Sequence, residues 1–147
     1  MQVSLFFDKQ NNVIVNPVLL APAGFGKHSS NFKLLQNGWT GRELADAIME
    51  ALEISKRNNL EEAEGEGFWT RATGIKSYKA FSKKYSCISI DYIKEKDCYE
   101  VCAYRRCKDG SYGVDAEEVD KRIKTFSGFP QRETIVQQVK DALYVIG

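Results

Sequence analysis

A single amphipathic helix, from Trp39 to Arg57, constrains this fold more than any other stretch of the chain. Thr40 and Glu43 have the spacing of a capping box, in which each side chain accepts a hydrogen bond from the other residue's backbone N–H. One face carries apolar residues at helical spacing: Leu44, Ala47, Ile48, Ala51 and Leu52. The pattern predicts a helix that lies against a sheet.

The same helical pattern returns 91 residues later, at Ile135, Val139, Ala142 and Leu143. Each of the two helices follows a predicted hairpin and a further predicted strand. The hairpins cover residues 2–20 and 87–106, and the further strands cover residues 31–35 and 119–126. We therefore predict an α+β fold with a mostly antiparallel sheet, two main helices and an approximate internal repeat of a hairpin-strand-helix unit.

The length of 147 residues fits a single domain, residues 1–147, that is large enough to bury a core. The two repeated halves are residues 1–57 and 75–147. Between them lies an acidic segment, residues 58–67, which we predict to be an exposed linker.

Three local features complete the prediction of secondary structure. Residues 21–30 contain several helix- and strand-breaking residues and are expected to form a loop. Pro17 cannot donate to a ladder and is expected at a sheet edge or a strand end, whereas Pro130 is expected to open the last helix. The pattern at Ser77 to Tyr85 fits a short helix or a strand equally well.

The overall charge does not indicate nucleic acid or a membrane as a partner. The chain has 21 basic and 20 acidic residues, a formal net charge of +1. No apolar run approaches the roughly 18 residues of a membrane span, and the first residues lack the features of a signal peptide. We expect a cytoplasmic protein.

The cysteines do not have the spacing of a metal site. Zinc ligands come as close Cys or His pairs around a loop, and no histidine lies near any of the four cysteines, Cys87, Cys98, Cys102 and Cys107. We expect reduced, buried thiols, and no metal or cofactor.

His28 is the only histidine, and it lies next to Ser29 and Ser30 in the glycine-rich loop. A Ser–His hydrolase also needs a carboxylate and an oxyanion hole, which neighbours in sequence do not supply. We expect His28 to be a solvated loop residue. No nucleophile–base pair or metal set is evident, so we predict that the protein is not an enzyme.

An acidic run is the strongest local charge feature, with glutamates at Glu61, Glu62, Glu64 and Glu66. Such a patch could complement the cationic cleft of a nuclease, speeding encounter and blocking the site, or it could simply be a solvated linker. Phe68 and Trp69 follow directly and are candidate aromatic anchors of an interface.

A second charged stretch, residues 76–85, interleaves bases and aromatics: Lys76, Tyr78, Lys79, Phe81, Lys83, Lys84 and Tyr85. Arg105, Arg106 and Lys108 add to its positive charge. This composition suits a small nucleic-acid-binding module, in which rings stack on bases and cations track phosphates. The alternative is an element that buries its aromatics and turns its basic face to water.

Several short motifs resemble those of bacterial immunity proteins of contact-dependent growth-inhibition systems. They are Asn37-Gly38-Trp39-Thr40-Gly41-Arg42-Glu43-Leu44 with the helix that follows, Lys76-Ser77-Tyr78-Lys79-Ala80-Phe81, Ile88-Ser89-Ile90, and Asp109-Gly110-Ser111-Tyr112-Gly113 with the closing helix. The resemblance spans most of the chain.

The resemblance implies a non-enzymatic cytoplasmic protein that binds the C-terminal toxin domain delivered by a neighbouring cell. Such toxins are commonly nucleases, including ones that cut transfer RNA, and inhibition would occlude the active site. It supplies no list of interface residues, so the candidate site rests on the charge of Glu61, Glu62, Glu64 and Glu66 and on the neighbouring rings of Phe68 and Trp69.

Overall fold

The computed structural model describes residues 1–63, 65 and 67–147. Within these ranges the helices are α1 (Gly41–Arg57), α2 (Phe68–Thr73), α3 (Tyr78–Lys84), α4 (Val119–Arg122) and α5 (Arg132–Ile146). The strands are β1 (Gln2–Phe7), β2 (Val13–Leu20), β3 (Gly26–His28), β4 (Lys33–Leu35), β5 (Ser86–Ile93), β6 (Cys98–Ala103), β7 (Arg105–Arg106), β8 (Tyr112–Gly113) and β9 (Ile123–Ser127). The undecided segment around residues 77–85 is therefore a helix.

One antiparallel sheet carries the fold. Its strands run in the order β2, β1, β5, β6, β9, with β3 and β4 both pairing with the outer side of β2. β1 and β5 form the central pair, in which Leu5 lies opposite Ile88. The short strands β7 and β8 pair separately, beyond the end of β6.

The predicted internal repeat is confirmed by the topology. Hairpin β1–β2, outer strand β4 and helix α1 form one unit, and hairpin β5–β6, outer strand β9 and helix α5 form the other. The two units join through β1 and β5, so the sheet continues from one half of the chain into the other.

Both long helices cover the same face of the sheet. The α1 capping box forms as predicted: Thr40 Oγ1 accepts from the Glu43 N–H, and Glu43 Oε1 accepts from the Thr40 N–H, each at 3.1 Å. The main core beneath the helices includes Val3, Leu5, Val15, Leu44, Ile48, Leu52, Ile88, Ile90, Val101, Ile135 and Val139. Complete burial of each large aliphatic side chain contributes about 1.5–3 kcal/mol to stability.

The opposite face is covered at one end by α2 and α3. There, a second core, which we name the aromatic cluster, consists of Phe6, Ile14, Phe68, Phe81 and Cys87. Trp69, Tyr78, Tyr85 and Tyr112 pack around it. Aromatic packing therefore fixes to the sheet both α2, which follows the acidic segment, and α3, which lies within the basic-aromatic stretch.

Two predicted elements differ from the structure. The strand predicted over residues 119–126 begins with a helical turn, α4, and only residues 123–127 are extended. An ion pair joins Arg122, the last residue of α4, to Glu118, the residue just before this helix. The predicted loop over residues 21–30 contains the short strand β3, since its main chain pairs with the end of β2.

Pro17 and Pro130 lie close to their predicted places, with one correction. Pro17 lies inside β2 rather than at its end, in the gap between the stretches that pair with β4 and β3. On that side its carbonyl accepts from the Ser29 N–H at 2.9 Å, and no proline N–H is needed. Pro130 precedes Gln131, which is the N-cap of α5.

Over the ranges that the structure describes, no helix has the length and apolar character needed to cross a bilayer.

Candidate partner-binding surface

The acidic segment is anchored to the body of the protein at its first residue. Asn58 ends α1 in the left-handed conformation, with φ of 50°. Its side chain bonds both backbone groups of Leu20: Oδ1 accepts from the Leu20 N–H at 2.7 Å, and Nδ2 donates to the Leu20 carbonyl at 3.0 Å. These two bonds mimic a strand pairing and fix the direction in which the chain leaves the helix.

The next residues form a 3-10 turn, Leu60–Glu62, which is held against the loop after β3. The Asn59 side chain caps the turn by accepting from the Glu61 N–H at 3.2 Å. The Glu62 carbonyl accepts from the Ser30 N–H at 2.7 Å and from Ser30 Oγ at 2.9 Å. A fixed backbone therefore presents the first two glutamates of the run.

The four candidate glutamates divide into described and undescribed positions. Glu61 is exposed, whereas Glu62 is half-buried. The Oε2 atom of Glu62 is buried and has no hydrogen-bond partner among the residues that the structure describes. Glu64 and Glu66 lie outside the described residues.

The two candidate aromatic anchors have different environments. Phe68 is 1% exposed, and its ring lies 5.1 Å from that of Phe6 in the aromatic cluster. Trp69 is half-buried: its indole N–H donates to the Lys76 carbonyl at 3.3 Å, and its ring lies edge-on to Tyr78 at 5.0 Å. Phe68 thus serves the core, which leaves Trp69 as the ring that can also reach a partner.

His28 is not the solvated loop residue that the sequence predicts. It is half-buried, and Nδ1 donates to Asn16 Oδ1 at 2.6 Å. Asn16 is fully buried and donates in turn to the Ser29 carbonyl at 3.1 Å. Burial lowers the pKa of His28 to about 4, so the ring is neutral at pH 7. Its role is to hold the loop that anchors the acidic segment.

The basic-aromatic stretch folds as α3, with its rings packed inward. Ser77 Oγ caps the helix by accepting from the Ala80 N–H at 3.1 Å. Phe81 is fully buried, and Tyr85 stacks on it at 4.6 Å. Lys76, Lys79, Lys83 and Lys84 are exposed. This arrangement matches the alternative in which the basic face meets water, and it leaves the ring of Phe81 unable to stack on bases.

The described residues contain no group of His, Cys, Asp and Glu side chains that could hold a metal ion. The four cysteines are free thiols, with Cys87 and Cys102 buried. Burial raises the pKa of the Cys87 thiol, so it stays protonated and unreactive.

Sequence comparison identifies no relative: no family model and no curated protein matches the chain. Structural comparison finds chains with the same fold. The structure of the CdiA-CT/CdiI toxin and immunity complex from Yersinia pseudotuberculosis contains a chain that matches with a TM-score of 0.68 and 13% identity, over 99% of this chain and 97% of that one. The chain has the fold of a protein from that complex.

A second solved structure has the same fold. It is a protein of unknown function, NMB0488, from Neisseria meningitidis, with a TM-score of 0.65 and 14% identity over 97% of this chain and 93% of that one. At these identities the likeness concerns the fold, and at that level it confirms the resemblance to immunity proteins that the sequence motifs indicate.

Proposed function

We propose that this protein is an immunity protein that binds a cognate toxin domain and blocks its active site, and that the toxin is a nuclease. The observation that carries the proposal is the match, over almost the whole of both chains, to a protein from a toxin and immunity complex. The match includes the repeat of hairpin, strand and helix, so it does not depend on one common motif.

The acidic segment supplies the proposed contact with the nuclease. A nuclease must bind phosphates, so its active-site cleft is cationic, and carboxylates are the complementary groups. The 3-10 turn fixes the backbone of Glu61 and Glu62 through Asn59 and Ser30, which reduces the entropy lost on binding.

Glu62 and Trp69 extend the proposed interface beyond simple charge. Glu62 is only half-buried, so its side chain can still present negative charge to an arginine or lysine of the partner. Trp69, which is half-buried, follows the segment by two residues and is the proposed aromatic contact. A stable inhibitor interface buries about 1,600 Å² in total, so further surface around these residues must take part.

Co-expression with the toxin domain encoded next to this protein tests the proposal. We expect the cells to survive and the two proteins to co-purify as a one-to-one complex. Cell death despite good expression of the protein would overturn the proposal for this pair.

Charge reversal tests the proposed surface. The variant Glu61→Lys/Glu64→Lys should weaken toxin binding by roughly 100-fold or more, since close interfacial charge pairs couple by several kcal/mol. A matched control, Glu95→Lys/Glu133→Lys, makes the same change of charge at exposed positions in the β5–β6 turn and on α5. Equal affinity of the two variants would exclude the acidic segment from the interface.

A further inference from the structure

A basic cleft of about 510 Å³ opens beside the C-terminal end of α3. Its walls come from the β1–β2 turn, the end of α3, strand β7 and the end of α5. The cations that line it are Lys9, Lys83, Lys84, Arg105, Arg106 and Arg122. Since the net charge of the whole chain is only +1, this is a local concentration of positive charge.

The arginines of the cleft are held in place by the protein itself. Arg105 Nη2 donates to Asp115 Oδ1 at 2.9 Å, and Arg106 Nη2 donates to the Tyr85 carbonyl at 3.2 Å. Arg122 pairs with Glu118 and donates to the Ala103 carbonyl at 3.2 Å. Their guanidinium groups are thus fixed before any ligand arrives.

The lysines of the cleft have no such partners. Lys9, Lys83 and Lys84 form no ion pair with any residue that the structure describes. Asp8, the acidic residue in the lining, accepts from the N–H and Nδ2 of Asn12 at 2.8 and 2.9 Å. In addition, Nε of Arg105 is buried without a hydrogen-bond partner in the described part of the chain. Unpaired like charges around one cavity repel each other unless an anion lies between them.

We propose that this cleft binds a carboxylate-bearing segment of the partner protein. The inference rests on the proposed function and adds a second contact to it: the acidic segment meets a basic surface of the toxin, and the basic cleft receives an acidic segment of the same toxin. Two contacts of opposite sign admit one orientation of the partner and reject partners with a different charge pattern.

The ring contacts favour a protein segment over nucleic acid. Stacking needs rings with a free face, but the ring of Tyr112 already contacts the rings of Phe6, Tyr78 and Tyr104. Tyr112 OH donates to the Tyr85 carbonyl at 2.7 Å, and Tyr104 OH lies 3.2 Å from Ser89 Oγ. Phe7 is only 4% exposed.

The ion pairs of the cleft arginines also favour a protein segment over nucleic acid. Asp115 and Glu118 pair with Arg105 and Arg122 and offset their charge, so the lysines are left as the unpaired cations of the cleft. A few lysines suffice to pair with a short segment that carries one or two carboxylates, whereas a long phosphate backbone needs a longer row of unpaired cations.

Toxin affinity measured by calorimetry tests the inference. Lys83→Glu/Lys84→Glu reverses two cleft lysines, and the matched control Lys76→Glu/Lys79→Glu makes the same change of charge at exposed lysines outside the cleft lining. We expect the cleft variant to bind the toxin roughly 100-fold more weakly than wild type, and the control within roughly threefold of it. Circular dichroism and thermal melts of both variants establish that each is folded.

The outcomes separate the two proposals. If wild type does not bind the toxin, the proposed function fails and this inference fails with it. If wild type binds but the cleft variant binds equally well, or the control loses as much affinity, only this inference fails. A titration with a 20-nucleotide single-stranded RNA tests whether the cleft binds nucleic acid instead. If RNA binds in a salt-dependent way and the cleft variant abolishes that binding, the cleft is a nucleic-acid site and the inference is overturned.

Discussion

The imidazole ring of His28 lies 4.3 Å from the ring of Phe68, and this contact joins the loop after β3 to the aromatic cluster. On its other side His28 is hydrogen-bonded to buried Asn16. The loop that begins at His28 continues into Ser29 and Ser30, whose hydroxyl and N–H groups hold the Glu62 carbonyl. The placement of the acidic segment therefore depends on a neutral histidine.

We predict that the protein loses stability as the pH falls from about 6.5 to 4. The pKa of His28 is lowered to about 4 by burial, so between these values the unfolded chain takes up a proton that the native chain does not. The loss from this group is about 2 kcal/mol between pH 7.5 and pH 5. Urea unfolding of wild type and His28→Gln at both pH values measures it as the difference between the two proteins. An equal pH dependence in both would contradict the prediction.

Phe68→Ala should lower the free energy of unfolding by about 3–5 kcal/mol, since Phe68 is buried among Phe6, His28 and Phe81. Phe25→Ala is the control, because its side chain is 55% exposed, and it should change stability by less than about 0.5 kcal/mol. Chemical denaturation measures both variants. A near-neutral Phe68→Ala would return this ring to the list of candidate surface anchors.

The parts of this fold that could be predicted from sequence are those set by local spacing. The capping box of Thr40 and Glu43 and the apolar face of α1 are properties of one continuous segment, and their repetition near Ile135 reveals the second unit. Alternating strands joined by turn residues likewise indicated both hairpins. The repeated pattern then predicted an antiparallel sheet with both helices, because each helix needs a sheet face to cover.

Features made by distant residues could not be predicted in this way. α3 has only 7 residues, too few for its period to distinguish helix from strand. The burial of His28 depends on Phe68 and Asn16, which lie 40 and 12 positions away in the chain. The same holds for the basic cleft, whose cations come from Lys9 at one end of the sequence and Arg122 near the other. Each sequence segment shows the charges, but only the fold brings them together.

We predict that Asn58→Ala destabilises the protein by about 2–3 kcal/mol. The change removes both hydrogen bonds to Leu20 and places alanine at a φ of 50°, where it loses about 1 kcal/mol relative to glycine. Asn58→Gly removes the same bonds without the conformational cost, so it should be the more stable of the two by about 1 kcal/mol. Urea denaturation compares them. If Asn58→Gly equals wild type, the side-chain bonds contribute nothing and the left-handed cap alone fixes the segment.

Gly110 closes the turn that packs against α3, and its replacement should show how tightly that turn is fitted. Its φ is +93°, and an added Cβ would lie 3.1 Å from Ser82 Oγ and 3.3 Å from the Lys79 Cα. Gly110→Ala should therefore cost about 2–3 kcal/mol, part of it from backbone conformation and part from crowding. Gly128→Ala separates the two contributions, because Gly128 has a φ of +80° and nothing within 4 Å of the added Cβ, so it should cost only about 1 kcal/mol. Thermal and urea unfolding give both values, and equal losses would mean that the turn moves away from α3 freely.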